Sequence, residues 1–127
     1  MSVRIVRLGS PRSANEGIRI GTVRRPPRGV PKTEFANQDY YDVWFPNLAP
    51  SAELMRDIHS DSISWGTFTK RYLAEMKQPD ASRTLDLLAA LSQNGNFAVG
   101  CYCEDEAHCH RSLLRQLLAD RGAKIEG

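Results

Sequence analysis

The stretch Cys101-Tyr-Cys-Glu-Asp-Glu-Ala-His-Cys-His-Arg111 holds all three cysteines of the chain, two of its three histidines and a guanidinium. Residue types at this spacing admit four kinds of chemistry. A helix start favours thiolate over thiol, so the Cys109 pKa is expected to be depressed, and Cys109, Cys103 and His110 are the candidate catalytic residues. A phosphate or carboxylate can be held by Arg111, Ser112, His110 and the unpaired N–H groups of a helix start, and this anion pocket is the leading functional expectation, ahead of thiol chemistry. Zinc takes sulfur and nitrogen ligands, and Cys101, Cys103, His108, Cys109 and His110 offer enough of them; a structural site, however, usually has two knuckles, and no distant second pair accompanies this one. Zinc is therefore the one candidate cofactor, and the expectation is none. Finally, the thiols can be small buried hydrophobes and His110 a satisfied polar group.

The order His108-Cys109, five residues, Arg115 also spells the pattern of cysteine-dependent phosphatases. Wrapping a phosphate calls for glycine, and His110 to Leu114 contains none. Leu113 and Leu114 look like core helix, which would carry Arg115 away from Cys109.

The elements around this stretch decide how it is presented. Asn96 to Cys103 is short, apolar and uncharged, the profile of a strand buried on both faces. Arg111 to Arg121 reads as a helix with Leu113, Leu114, Leu117 and Leu118 inward and Gly122 as its cap. Upstream, Val3–Leu8 and Gly17–Val23 read as strands, the second with Ile18 and Ile20 opposite Arg19. Arg24-Arg-Pro-Pro-Arg-Gly-Val-Pro31 is a semi-rigid loop, because its three prolines remove donors and fix φ. Tyr40–Phe45 is the most aromatic segment and is expected in the core. Helices are expected after Ser51 and Ser64 as N-caps, the second over 65–77, and over 81–93 with Asp80 as N-cap. Ala123–Ile125 can form a last strand. This order gives a single α/β domain over residues 1–127, with a mostly parallel sheet flanked by helices.

Length and composition set outer limits. A chain of 127 residues, 41% hydrophobic and 25% charged, can bury one globular core. No apolar run approaches the roughly 20 residues that cross a bilayer, so no membrane association is expected. Clustered, odd-numbered cysteines fit a reducing compartment rather than a disulfide scaffold, so the expected location is cytoplasmic. The net charge is +2, but residues 1–32 hold eight basic side chains against Glu16 alone. A solvated basic face is the plain reading. The sharper one places Arg24, Arg25 and Arg28 on an anion or nucleic-acid surface. The possible partners are thus an anionic small molecule or nucleic acid, and the oligomeric state is open.

Four segments together carry a family resemblance. Cys-Tyr-Cys followed by Cys-His-Arg and a leucine-rich helix, Gly17–Gly29, Trp44–Ser51 with its Ala-Pro-Ser helix start, and Trp65–Glu75 with its Phe, Arg-Tyr and Glu pattern resemble, in order, the domain-of-unknown-function 488 family in its YeaO-like branch. The resemblance implies a small α/β domain and brings no established activity. Its motif positions are Arg25, Arg28, Cys103, Cys109, His110 and Arg111, with Arg71 and Tyr72 as further ligand-binding candidates.

Overall fold

The computed structural model of the chain describes residues 1–103 and 108–126. The acidic part of the cysteine-histidine stretch, residues 104–107, lies outside the described residues. Five strands, β1 (Val3–Arg7), β2 (Ile18–Gly21), β3 (Val43–Trp44), β4 (Phe97–Cys101) and β5 (Ile125–Glu126), form one sheet in the order β3-β2-β4-β1-β5. Every pairing is parallel, with Val3 opposite Phe97 and Ile20 opposite Val99. The described residues include four helices, α1 (Ala52–His59), α2 (Trp65–Met76), α3 (Pro79–Leu91) and α4 (His110–Asp120). The chain is thus an α/β protein.

The two faces of the sheet are covered differently. Strand alternation puts Val3, Ile5, Phe97 and Val99 on one face. These pack with Leu54, Phe68, Tyr72, Leu85, Leu114 and Leu118 into the main core, so the helices lie on that face. Leu54, Leu85, Leu114 and Leu118 are fully buried, and each contributes about 2 kcal/mol through burial. The other face is covered by irregular chain from residues 8–17 and 22–42. Arg19 points into it, donating to the carbonyls of Ser10 and Asp39 at 2.8 and 2.7 Å and pairing through Nε with Glu16 at 2.8 Å. The basic N-terminal segment is therefore not uniformly a solvated face: Arg19 has no exposed surface. Three internal carbonyl and carboxylate partners take the place of water around its guanidinium.

This division sets where the strands release the chain. The connections leaving β1 and β2 run over the loop face, whereas those leaving β3 and β4 run over the helix face. Such a split keeps each crossover right-handed. β4 consequently exits toward the helices while both its neighbours exit the opposite way. A crevice opens at a carboxyl end of this kind, and ligands of open parallel sheets bind there.

Local chemistry accounts for the element ends. Ser51 and Ser64 cap α1 and α2 by accepting from Leu54 and Thr67 N–H at 3.1 and 3.2 Å. Helix α3 begins two residues before the expected Ala81, with Gln78 at the N-cap and no side-chain cap bond. Pro79 occupies the first helical position, where its missing N–H costs nothing, so the proline opens α3 rather than merely ending α2. Helix α4 begins at His110, one residue earlier than expected, with Cys109 at its N-cap. β4 ends at Cys101, which leaves Cys103 beyond the strand. Gly17 adopts φ +80°, and a Cβ there would stand 1.9 Å from the Asn96 carbonyl oxygen; only glycine lets β2 start this close to the entry of β4.

Candidate thiol site at the end of the central strand

Cys101 is the last residue of β4, held in register opposite Arg7 and nearly fully buried. Two residues on, Cys103 has left the sheet and is exposed, while Cys109 at the head of α4 is buried. The end of β4 and the start of α4 bring the three together: all three Sγ atoms lie within 4.8 Å of one another. Spacing alone aligned only Cys101 with Cys103; the return of the chain through α4 adds Cys109.

The groups around the cluster give the thiols unlike characters. Hydrogen bonding from Cys101 and Cys109, helped by the positive charge of Arg111, holds the Cys103 thiol well below its usual pKa, despite opposing desolvation. The same contacts, with burial, push the Cys101 thiol up. An exposed Cys103, whose thiolate is favoured, therefore sits against a Cys101 whose thiol form is favoured, with Cys109 beside both.

His110 and Arg111 are both buried beside the cluster. The His110 Nε2 is 2.8 Å from the Thr22 carbonyl oxygen, and its Nδ1 is 3.8 Å from the Cys109 Sγ. Its ring thus ties the end of β2 to the head of α4, with both nitrogens facing protein atoms. Arg111 donates through Nη2 to the Cys103 carbonyl, while its buried Nε has no partner. A buried guanidinium N–H without an acceptor is costly. Ser112 turns its hydroxyl back to the Cys109 carbonyl at 3.0 Å.

The arginine-rich loop reaches the same edge by its backbone. Tyr102 donates its hydroxyl to the Arg25 carbonyl at 2.9 Å, which joins this loop to the residue between Cys101 and Cys103. The Arg25 and Arg28 side chains are exposed. Arg24 is committed elsewhere, donating to the carbonyls of Pro50, Pro46 and Ala49 at 3.0 to 3.3 Å. Arg71 pairs with Asp57 at 2.7 Å on the helix layer. Tyr72 is buried, donates its hydroxyl to the Leu48 carbonyl at 2.8 Å and lies 5.6 Å from the His110 ring. Of the residues singled out in the sequence, Cys103, Cys109, His110, Arg111 and Ser112 gather at one place. Arg25 reaches it through its backbone carbonyl alone, Tyr72 supports it from the core, and Arg71, paired with Asp57, is not brought to it. Sequence reasoning missed Thr22, whose carbonyl orients His110; a backbone acceptor leaves no trace in side-chain identity.

Comparison with known proteins fits this architecture. The family described as "Active DUF488-N3 subclade" matches residues 3–122, almost the whole described chain. The chain belongs to the DUF488 family. This DUF488 chain is 35% identical over 78 residues to "Uncharacterized protein YeaO" of Escherichia coli (strain K12), a match covering 61% of the chain and 64% of YeaO. It thus spans somewhat under two thirds of that relative, and it is YeaO-like. No solved structure matches it.

The three cysteines of the DUF488 chain could also hold a metal ion, each through one sulfur. Such a thiolate set suits a soft or borderline ion and leaves further coordination positions to be filled. Among the described residues no helix is long and apolar enough to cross a membrane.

Proposed function

We propose that this protein is a thiol-dependent enzyme in which Cys103 attacks an electrophilic sulfur and Cys109 resolves the product. The supporting observation is the cluster itself: an exposed Cys103 with two buried thiols, all Sγ atoms within 4.8 Å of one another. In the first step the Cys103 thiolate forms a bond to one sulfur of a disulfide substrate. The substrate S–S bond breaks, and the other sulfur leaves as a thiolate that takes up a proton. In the second, Cys109 loses its proton and attacks the Cys103 Sγ, releasing the rest of the substrate as a second thiol. The protein is left with a Cys103–Cys109 disulfide and the substrate is reduced by two electrons; an external dithiol returns the protein to its starting state. Cys109 suits the resolving role better than Cys101, which the register of β4 holds in place.

This reading takes precedence over an external phosphate or carboxylate, the expectation drawn from the helix start. His110 has both ring nitrogens against protein atoms, so Arg111 alone remains of the side chains assigned to that anion. The negative charge it stabilises is then the Cys103 thiolate.

The test is titration with an aromatic disulfide such as 4,4′-dithiodipyridine. The intact protein should release two thiopyridones rapidly per chain, and Cys109→Ser only one. Labelling of Cys103 by iodoacetamide should inflect far below the ordinary thiol pKa of about 8.5. An inflection at that ordinary value, or equal release from both proteins, would sink the proposal. The specific observation behind a second reading, a bound soft metal, is the same sulfur triad; metal analysis of untagged protein separates the two.

A further inference from the structure

Disulfide exchange gives steps to Cys103 and Cys109 but none to Cys101, although β4 holds the Cys101 sulfur in the same cluster. The three Sγ atoms lie within 4.8 Å of one another, and no fourth ligating side chain joins them among the described residues. Thiolates held about 2.3 Å from one tetrahedral ion stand about 3.8 Å apart, so closing on an ion shortens each separation by about 1 Å or less. The movement falls to Cys103, which is exposed and lies past the end of β4, whereas Cys101 and Cys109 are buried at the strand end and the helix start. The exposed side of Cys103 also gives the ion a way in and leaves a fourth position for water.

Charge selects the ion. A thiol gives up its proton to solvent when it binds a metal, so the set presents three negative charges. Arg111 donates to the Cys103 carbonyl and adds one positive charge beside them. A monovalent ion leaves this site net negative, and a trivalent ion leaves it net positive. A divalent ion balances it, and beside two buried sulfurs an unbalanced charge is the costly case. Sulfur ligands then favour a soft or borderline divalent ion such as zinc over magnesium or calcium.

We propose that Cys101, Cys103 and Cys109 reversibly bind one thiophilic divalent ion, with water in the fourth position, and that this loaded form is the resting state of the thiol site. The bound ion engages both sulfurs that exchange uses, so exchange starts only after its release. That regulatory role rests on the exchange reading above; the binding itself does not.

Untagged protein, reduced and stripped with EDTA, is titrated anaerobically with Co²⁺ and then with Zn²⁺. One Co²⁺ per chain should produce sulfur-to-cobalt charge-transfer absorption with the strong visible bands of four-coordination, and one Zn²⁺ should abolish both. Cys103→Ser, at an exposed position, should weaken Zn²⁺ binding by more than the roughly tenfold that disturbing an outer partner of a metal site costs. Folded Cys101→Ser should do the same. Missing thiolate absorption at one Co²⁺ per chain, or unchanged affinity in either variant, overturns the site. Zn²⁺-loaded protein should release no thiopyridone from 4,4′-dithiodipyridine, and excess EDTA should restore both equivalents. Equal release rates with and without Zn²⁺ overturn the regulation. Stripped protein that binds Co²⁺ but releases no thiopyridone overturns the exchange reading instead and leaves the metal site standing.

Discussion

At the residue scale, the thiol site turns on Arg111. Its guanidinium is buried with Nε unpartnered, and its charge favours the Cys103 thiolate. Arg111→Met should therefore move the inflection of Cys103 alkylation upward by about one pH unit, a typical effect of removing one neighbouring opposite charge. The buried ion pair Glu16–Arg19 is structural. Burial works against the Glu16 carboxylate, but the hydrogen bonds and charge of Arg19 outweigh it and lower its pKa. Its stabilising contribution is thus complete above the ordinary carboxylate range, near 4.5, and is lost as pH falls through the lowered folded value. Arg19→Met leaves Glu16 buried and unpaired and should cost about 3–5 kcal/mol in urea denaturation at pH 7. Glu16→Gln should flatten the acid limb of the stability profile. The types and spacing of Cys103, Cys109, His110 and Arg111 were legible in the sequence. Their roles were not, because these depend on the Thr22 carbonyl just past β2 and on the fold returning Cys109 to Cys101 and Cys103.

At the element scale, close backbone approaches set the fit of the loop layer. Gly21 admits the Tyr41 ring, and a Cβ there would stand 2.4 Å from it. Gly21→Ala should destabilise the protein by about 1–3 kcal/mol in urea denaturation, the usual cost of overpacking. Ser51 caps α1 and also donates to Glu75 at 2.6 Å, linking α1 to α2. Ser51→Ala should lower stability by roughly 1–2 kcal/mol in thermal unfolding. Helix positions were readable because each has a serine cap or a leucine stripe. Strand ends were less so: β2 stops at Gly21 and β4 at Cys101, short of the apolar runs that suggested them. Past those points the same residues serve the second cluster, where Val23 and Tyr102 pack with Tyr41 and Cys101. Periodicity does not register such a change of use.

At the scale of the whole molecule, the alternation of helices and strands with few hairpin signals foretold a parallel α/β sheet. It did not foretell that both long connections before residue 42 would lie on one face. The proline- and arginine-rich part of that face reads as a semi-rigid loop, yet the face contains a buried ion pair and an apolar cluster. Charge asymmetry along the chain was similarly only half informative. Arg19 and Arg24 are absorbed by internal acceptors, so the N-terminal excess overstates the free cationic surface.

The unequal covering of the sheet also has a kinetic side. Helices close one face with contiguous leucines; irregular chain, with few regular backbone bonds, closes the other. Fluctuations that expose buried atoms draw on the less cohesive layer first. Amide exchange should accordingly be faster for residues 24–42 than for α3 and α4. Modification of Cys101 and Cys109 by a bulky reagent should then proceed at rates nearly independent of low urea, the signature of a small opening rather than global unfolding. The loop layer would act as the protein's breathing side, and the two reserve thiols would meet solvent at a frequency set by that layer.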